Sequence, residues 1–139
     1  MKKSIICLFV ILLFACKNPT KPSGKLKVVV TTSMLTDLVK NIGADLIEIE
    51  GLMGPGVDPH LYKASEGDVS KLFNADVIFY NGLHLEGKLV AVFEKMETQK
   101  TTVALGEFLA KEGLIGSDYF ASNYDPHVWF NIQYFKEFS

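Results

Sequence analysis

The tripeptide Asp-Pro-His occurs twice in this chain, as Asp58-Pro59-His60 and as Asp125-Pro126-His127. Each copy continues with an aliphatic and then an aromatic residue, Leu61-Tyr62 and Val128-Trp129. The chain holds 3 histidines, and two of them are in these motifs. Imidazole is the commonest neutral nitrogen ligand for zinc and related divalent ions. Proline fixes φ directly before each histidine and pushes the preceding aspartate into extended backbone, which stiffens the base from which the ring is aimed. Asp58 and Asp125 can orient their loops by bonding nearby amides, or can accept an imidazole N–H. One copy alone reads as a turn with a solvated histidine. Two copies predict a shared local geometry that aims His60 and His127 as metal ligands, half of the four that a closed zinc site uses.

The third histidine, His84, lies in Asn81-Gly82-Leu83-His84-Leu85-Glu86. With Glu86 it could offer a nitrogen and oxygen pair, but it lacks the Asp-Pro frame and falls at a strand-to-helix turn. His84 and Glu86 are therefore placed at the rim of a cleft, and Glu86, with Glu94 and Glu97, on a solvated helix face. Trp129, Tyr62 and the phenylalanines read as core or cleft wall. Gly54-Pro55-Gly56 is no phosphate loop, since no Lys-Ser or Lys-Thr pair follows it. Ser33 has no nucleophile-elbow context. No His-Glu-x-x-His pair is present, so a zinc hydrolase has no support and the expectation is a protein that is not an enzyme.

The elements that must position the histidines follow from apolar periodicity. A β-branched run over residues 25–32 predicts a buried strand. Ser33 is the expected cap of a helix over 34–42, with Leu35, Leu38, Val39 and Ile42 on one face and Gly43 as its stop. Alternation over 45–52 predicts a second strand. Ser65 with Asp68 three residues on predicts a capped helix to about Asn74, with Val69, Leu72 and Phe73 inward. Residues 76–80 and 101–105 read as the third and fourth strands, and 86–97 as a helix with Leu89, Val90, Phe93 and Met96 at helical spacing. Residues 106–121 read as loop with short helix, and 129–138 as weakly helical. Alternating strands and helices predict an α/β fold: a mainly parallel sheet of about four strands with helices on both faces. Ligands of such sheets gather at the carboxyl ends of the strands. Both Asp-Pro-His motifs follow strands, so His60 and His127 are expected at that one edge.

The N-terminus has a separate character. Met1-Lys2-Lys3 and an apolar run over 5–14 match a secretion signal, too short to span a bilayer. Leu13-Phe14-Ala15-Cys16 resembles the bacterial lipobox, in which the cysteine is acylated. The expected organisation is a signal peptide at 1–15, a polar, Pro-containing tether at 16–24 with Cys16 as lipid anchor, and an α/β domain at 25–139. Of 2 cysteines, Cys7 falls in the signal and Cys16 is the anchor, so neither is a metal ligand. The formal net charge of −2, the absence of arginine and the scattered lysines exclude a nucleic-acid partner.

Gly56-Val57-Asp58-Pro59-His60-Leu61-Tyr62, Asn81-Gly82-Leu83-His84-Leu85-Glu86 and Asp125-Pro126-His127-Val128-Trp129-Phe130-Asn131, in that order after a lipoprotein signal, resemble the metal-specific substrate-binding proteins of ABC importers. This is the zinc/manganese group, with its treponemal-type receptors and pneumococcal-type adhesin lipoproteins. The resemblance covers essentially the whole chain. It implies two α/β lobes joined by a long helix, with the metal in the cleft between them. His60 and His127 correspond to the two ligands from the first lobe, and a His or Glu plus an Asp come from the second. Family members are roughly twice this length, so the chain is expected to be the N-terminal lobe, truncated before the second. Such a lobe is expected to bind metal weakly and to expose an apolar surface where its partner lobe would pack. The implied ligand is Zn2+ or Mn2+, and the implied partners are an ABC permease and, through the lipid anchor, a membrane facing the periplasm or cell exterior. Residues 112–124 lack the His-rich loop of zinc-specialised members, which leans toward the manganese or mixed branch. A surface adhesin, with incidental metal binding, is the alternative that the resemblance allows.

Overall fold

The computed structural model describes residues 24–139. The expected signal at 1–15, Cys16 and the tether up to residue 23 lie outside the described residues. Four strands, β1 (Leu26–Val30), β2 (Ile47–Gly51), β3 (Val77–Tyr80) and β4 (Thr101–Ala104), form one sheet in the order β2-β1-β3-β4, and every pairing is parallel. The register sets Val28 between Ile49 and Val77, and Val30 between Gly51 and Phe79. Because side chains alternate along a strand, β1 serves two cores. Val28 and Val30 pack with Leu35, Val39, Phe79 and Phe135 on one face. Val29 packs with Leu72, Ile78, Leu89, Phe93 and Met96 on the other. Helices thus cover both faces, as the alternating pattern predicted.

Helix α1 (Ser33–Gly43) is capped by Thr32 and not by Ser33. Thr32 is still extended (φ −89°, ψ 156°), and its side chain accepts the Leu35 N–H at 3.4 Å. The strand ends at Val30 and so leaves Thr32 free for that role. Ile42, expected on the inward face, is exposed near the helix end. Helix α2 (Glu66–Asn74) opens with the predicted capping box between Ser65 and Asp68. Its inward residues are Asp68 and Leu72, four positions apart. Val69 and Phe73, also predicted inward, are each one position further on and are carried about 100° round to solvent. Phe73 instead lies under the Lys100 ammonium, which donates to the Leu72, Phe73 and Ala75 carbonyls at the end of α2.

Helix α3 (Val90–Glu97) starts later than the pattern over 86–97 predicts. Residues 82–84 take positive φ (Gly82 79°, Leu83 50°, His84 62°), and a left-handed turn cannot lead straight into a right-handed helix. Residues 105–131 run through short 3-10 turns at Leu105–Phe108, Lys111–Gly113 and Val128–Phe130. Between them a loop closes on itself through an antiparallel bridge of Gly116 with Tyr124. The weak helical signal at the end of the sequence resolves into the 3-10 turn and α4 (Ile132–Glu137), capped by Asn131. Among the described residues no helix is long and apolar enough to cross a membrane.

The strand order reverses between β1 and β3, whose carboxyl ends therefore flank a topological switch point. Thr31 directly follows β1, and Asn81 directly follows β3. The first Asp-Pro-His follows β2, and the second follows β4.

Candidate metal centre

The two motifs adopt the same local turn. In each, the aspartate Oδ1 accepts the backbone N–H of the histidine two residues on: Asp58 from His60 at 2.9 Å, and Asp125 from His127 at 3.0 Å. This is the Asx-type bond that short carboxylate side chains make, and proline between the two residues leaves the intervening nitrogen with no N–H to compete. The two turns bring the imidazoles together across 67 positions of sequence, with His60 Nε2 and His127 Nε2 3.2 Å apart. Two nitrogens held at a tetrahedral angle by one zinc, each at ~2.0–2.1 Å, would be about 3.3–3.4 Å apart. The spacing of the pair fits a single shared cation.

The second motif goes further than the first. Asp125 Oδ1 also faces His127 Nδ1 at 2.6 Å. A carboxylate can only accept, so Nδ1 carries a proton, and in the neutral ring that tautomer leaves the Nε2 lone pair facing His60. The backbone N–H of His127 holds the Asp125 carboxyl below the usual range, burial opposes this, and the His127 ring adds to the lowering. Asp58 is exposed, and the bond it makes here is to the backbone of His60.

Aromatic rings fix the pair laterally. Phe120, at the far end of the loop closed by Gly116 and Tyr124, stacks on His60 with centroids 5.7 Å apart and meets His127 edge-on at 5.6 Å. Trp129 meets His127 edge-on at 5.2 Å and is a wall of the site, as expected. Beside His127 opens a cleft of ≈ 270 Å³ lined by Leu114, Ile115, Asp125, Phe130 and Tyr134. Tyr62 belongs to the support of the core: its hydroxyl donates to Asp68 at 2.7 Å and stands 3.1 Å from the Leu52 carbonyl oxygen. Burial and its bond to Asp68 push the phenol up to about 12.

His84 and Glu86, the expected rim pair, separate. His84 is exposed on the left-handed turn and does not join the other histidines. Glu86 is neither rim nor solvated helix face: it is 2% exposed. Its carboxylate accepts from the Thr31 hydroxyl at 2.6 Å and from the Asn81 and Gly82 N–H groups at 2.8 and 3.3 Å. Burial raises its pKa, against the lowering by these donors. The misplacement has a plain cause, since a residue between two left-handed positions and a late helix start has no helix face to stand on. Glu94 and Glu97 are exposed, as expected. Sequence reasoning left Asn81 without a role and gave Phe120 only the general one of core or cleft wall, which its contacts with both imidazole rings agree with. Nothing local to Phe120 signals its contact, whereas Asn81 carried a signal in an Asn-Gly pair at the end of a strand. Among the described residues, no group of three or more His, Cys, Asp or Glu side chains converges to hold a metal.

Residues 28–139 match the family described as zinc-uptake complex component A, periplasmic (ZnuA). The chain belongs to that family. It is 50% identical over 108 residues to the manganese-binding lipoprotein MntA of Bacillus subtilis, covering 78% of this chain and 35% of that protein. It is 47% identical over 110 residues to the zinc-binding protein TroA of Treponema pallidum, covering 79% of this chain and 35% of that protein. The crystallised periplasmic zinc-binding protein TroA of Treponema pallidum superposes with a TM-score of 0.78 at 45% identity, over 83% of this chain and 41% of that one. The chain thus spans about a third to two-fifths of these relatives. The expected α/β fold of the zinc/manganese-binding group is the one found.

Proposed function

We propose that this chain is the metal-capturing N-terminal lobe of an exported substrate-binding lipoprotein that delivers Zn2+ or Mn2+ to an ABC permease. His60 and His127 ligate the ion through Nε2, Asp125 fixes the His127 ring, and water or further donors complete the coordination. The protein binds and releases its cargo without covalent chemistry. Cys16 carries the lipid that holds it at the membrane. The observation that carries this reading is the 3.2 Å approach of the two Nε2 atoms, at the spacing of two ligands on one ion. The names of its relatives support the metal class without choosing between manganese and zinc, since one is called manganese-binding and another zinc-binding. Calorimetric titration with Zn2+ and with Mn2+ tests the proposal. One ion per chain should bind, and His60→Ala together with His127→Ala should abolish the heat. Binding that survives the double substitution rules the ligands out.

A further inference from the structure

Glu86 is a buried carboxylate, 2% exposed, that the metal pair does not use, and it stands beside two consecutive non-glycine residues of positive φ. Leu83 and His84 both hold left-handed φ, which side chains with a Cβ disfavour. Several contacts hold the chain there. Glu86 accepts the Asn81 and Gly82 N–H groups at the start of the turn and the Thr31 hydroxyl at the end of β1. The Asn81 carbonyl accepts the Gly106 N–H at 2.7 Å, and the Leu83 N–H donates to Glu107 at 3.2 Å. What this turn fixes is the Asn81 side chain, which is 0% exposed. Its Nδ2 donates to the Gly82 carbonyl at 3.1 Å and to the Pro126 carbonyl at 3.0 Å. The Pro126 carbonyl belongs to the peptide that joins it to His127.

Both amide hydrogens of Asn81 are engaged, and among the described residues its buried Oδ1 has no hydrogen-bond partner. Turning the amide over would set Oδ1 against two carbonyl oxygens, so the chemistry of the neighbours fixes the orientation. A buried polar atom without a partner is uncommon and is kept where the surroundings demand it. Here the demand comes from the two carbonyls. We infer that Asn81 is a positioning residue for His127, a clamp that ties the second Asp-Pro-His to the carboxyl end of β3, and that Glu86 is the support that holds the clamp. The inference rests on the metal-capture reading for its purpose, and on the hydrogen bonds alone for its geometry. By it, the Asn81–Glu86 segment sets where the His127 ring stands relative to His60.

Two variants and two readouts test it. Asn81→Ala removes both donors to the carbonyls, and Glu86→Gln keeps the shape while turning one acceptor into a donor. In the metal-free protein, nuclear Overhauser contacts between the His60 and His127 rings should be present in the unaltered chain. They should be lost in Asn81→Ala and weakened in Glu86→Gln, while the amide shifts of β1 and β3 stay in place. Zn2+ affinity should fall at least tenfold in the first variant and severalfold in the second. A folded variant of either kind with unaltered ring contacts and unaltered Zn2+ affinity overturns the clamp. Should Asn81→Ala not fold, Glu86→Gln decides by the same two readouts. Should the unaltered chain bind no Zn2+, the metal reading fails, and the ring contacts, which need no metal, still decide the clamp.

Discussion

At the scale of the residue, the two Asp-Pro-His motifs share letters and backbone but not side-chain roles. Each aspartate accepts its histidine's N–H, and only Asp125 is shown bonding the ring as well. Losing a carboxylate that orients a metal-binding imidazole typically costs 10–100-fold in affinity. Asp125→Asn should therefore weaken Zn2+ binding by about that factor, and Asp58→Asn by clearly less. A chelator-competition titration of both variants checks this, and equal losses would contradict it. The doublet was legible in the sequence because the cue is local: residue types, a proline and a spacing of two. The difference between Asp58 and Asp125 was not legible, since the same tripeptide spells both. Glu86 was misplaced for the complementary reason. Its burial depends on Thr31, 55 positions away, and no local pattern reports that.

At the scale of the element, the apolar periods fixed the kind and order of all four strands, because each is a short β-branched or alternating run between polar breaks. The capping box at Ser65 was equally legible, since both partners lie within one turn of helix. Asp68 in that box holds a carboxyl below its usual value of 3.8: burial raises it, and bonds from Ser65 and Tyr62 overcome that. A depressed carboxyl stabilises the fold above its unfolded pKa and loses that contribution as the pH falls through the folded one. The stability gap between the unaltered protein and Asp68→Asn should accordingly be widest near neutrality and shrink below about pH 4. Urea denaturation from pH 7 down to 3 measures it, and a gap that grows toward acid would refute the assignment. The start of α3 and residues 105–131 were not legible. Their shape comes from left-handed turns and one cross-loop bridge, which leave no period in the sequence. Gly106 shows how tight that region is. A Cβ there would stand 2.8 Å from the Asn81 carbonyl oxygen, a backbone atom that cannot swing away. Gly106→Ala should cost roughly 1–3 kcal/mol, the usual range for overpacking, and lower the melting temperature. Unchanged melting would show that the turn yields more easily than its contacts suggest.

At the scale of the whole molecule, the sheet order puts β1 and β3 at a switch point, and the loops after β2 and β4 converge over the same edge. The frame is held from both faces, with Phe93 1% exposed at the centre of one core. Phe93→Ala should destabilise by about 3–5 kcal/mol, and saturating Zn2+ should recover part of the loss, because a ligand bound only by the folded state adds stability by mass action. Thermal melts with and without Zn2+ measure both effects. The histidine pair is the point on which residue, element and frame agree, and X-ray absorption at the zinc edge tests it most directly. In the Zn2+-loaded protein the spectrum should show two imidazole nitrogens at about 2.0–2.1 Å, and both should vanish when His60 and His127 are replaced by alanine. A spectrum without imidazole, or one that the double substitution leaves unchanged, would contradict the account.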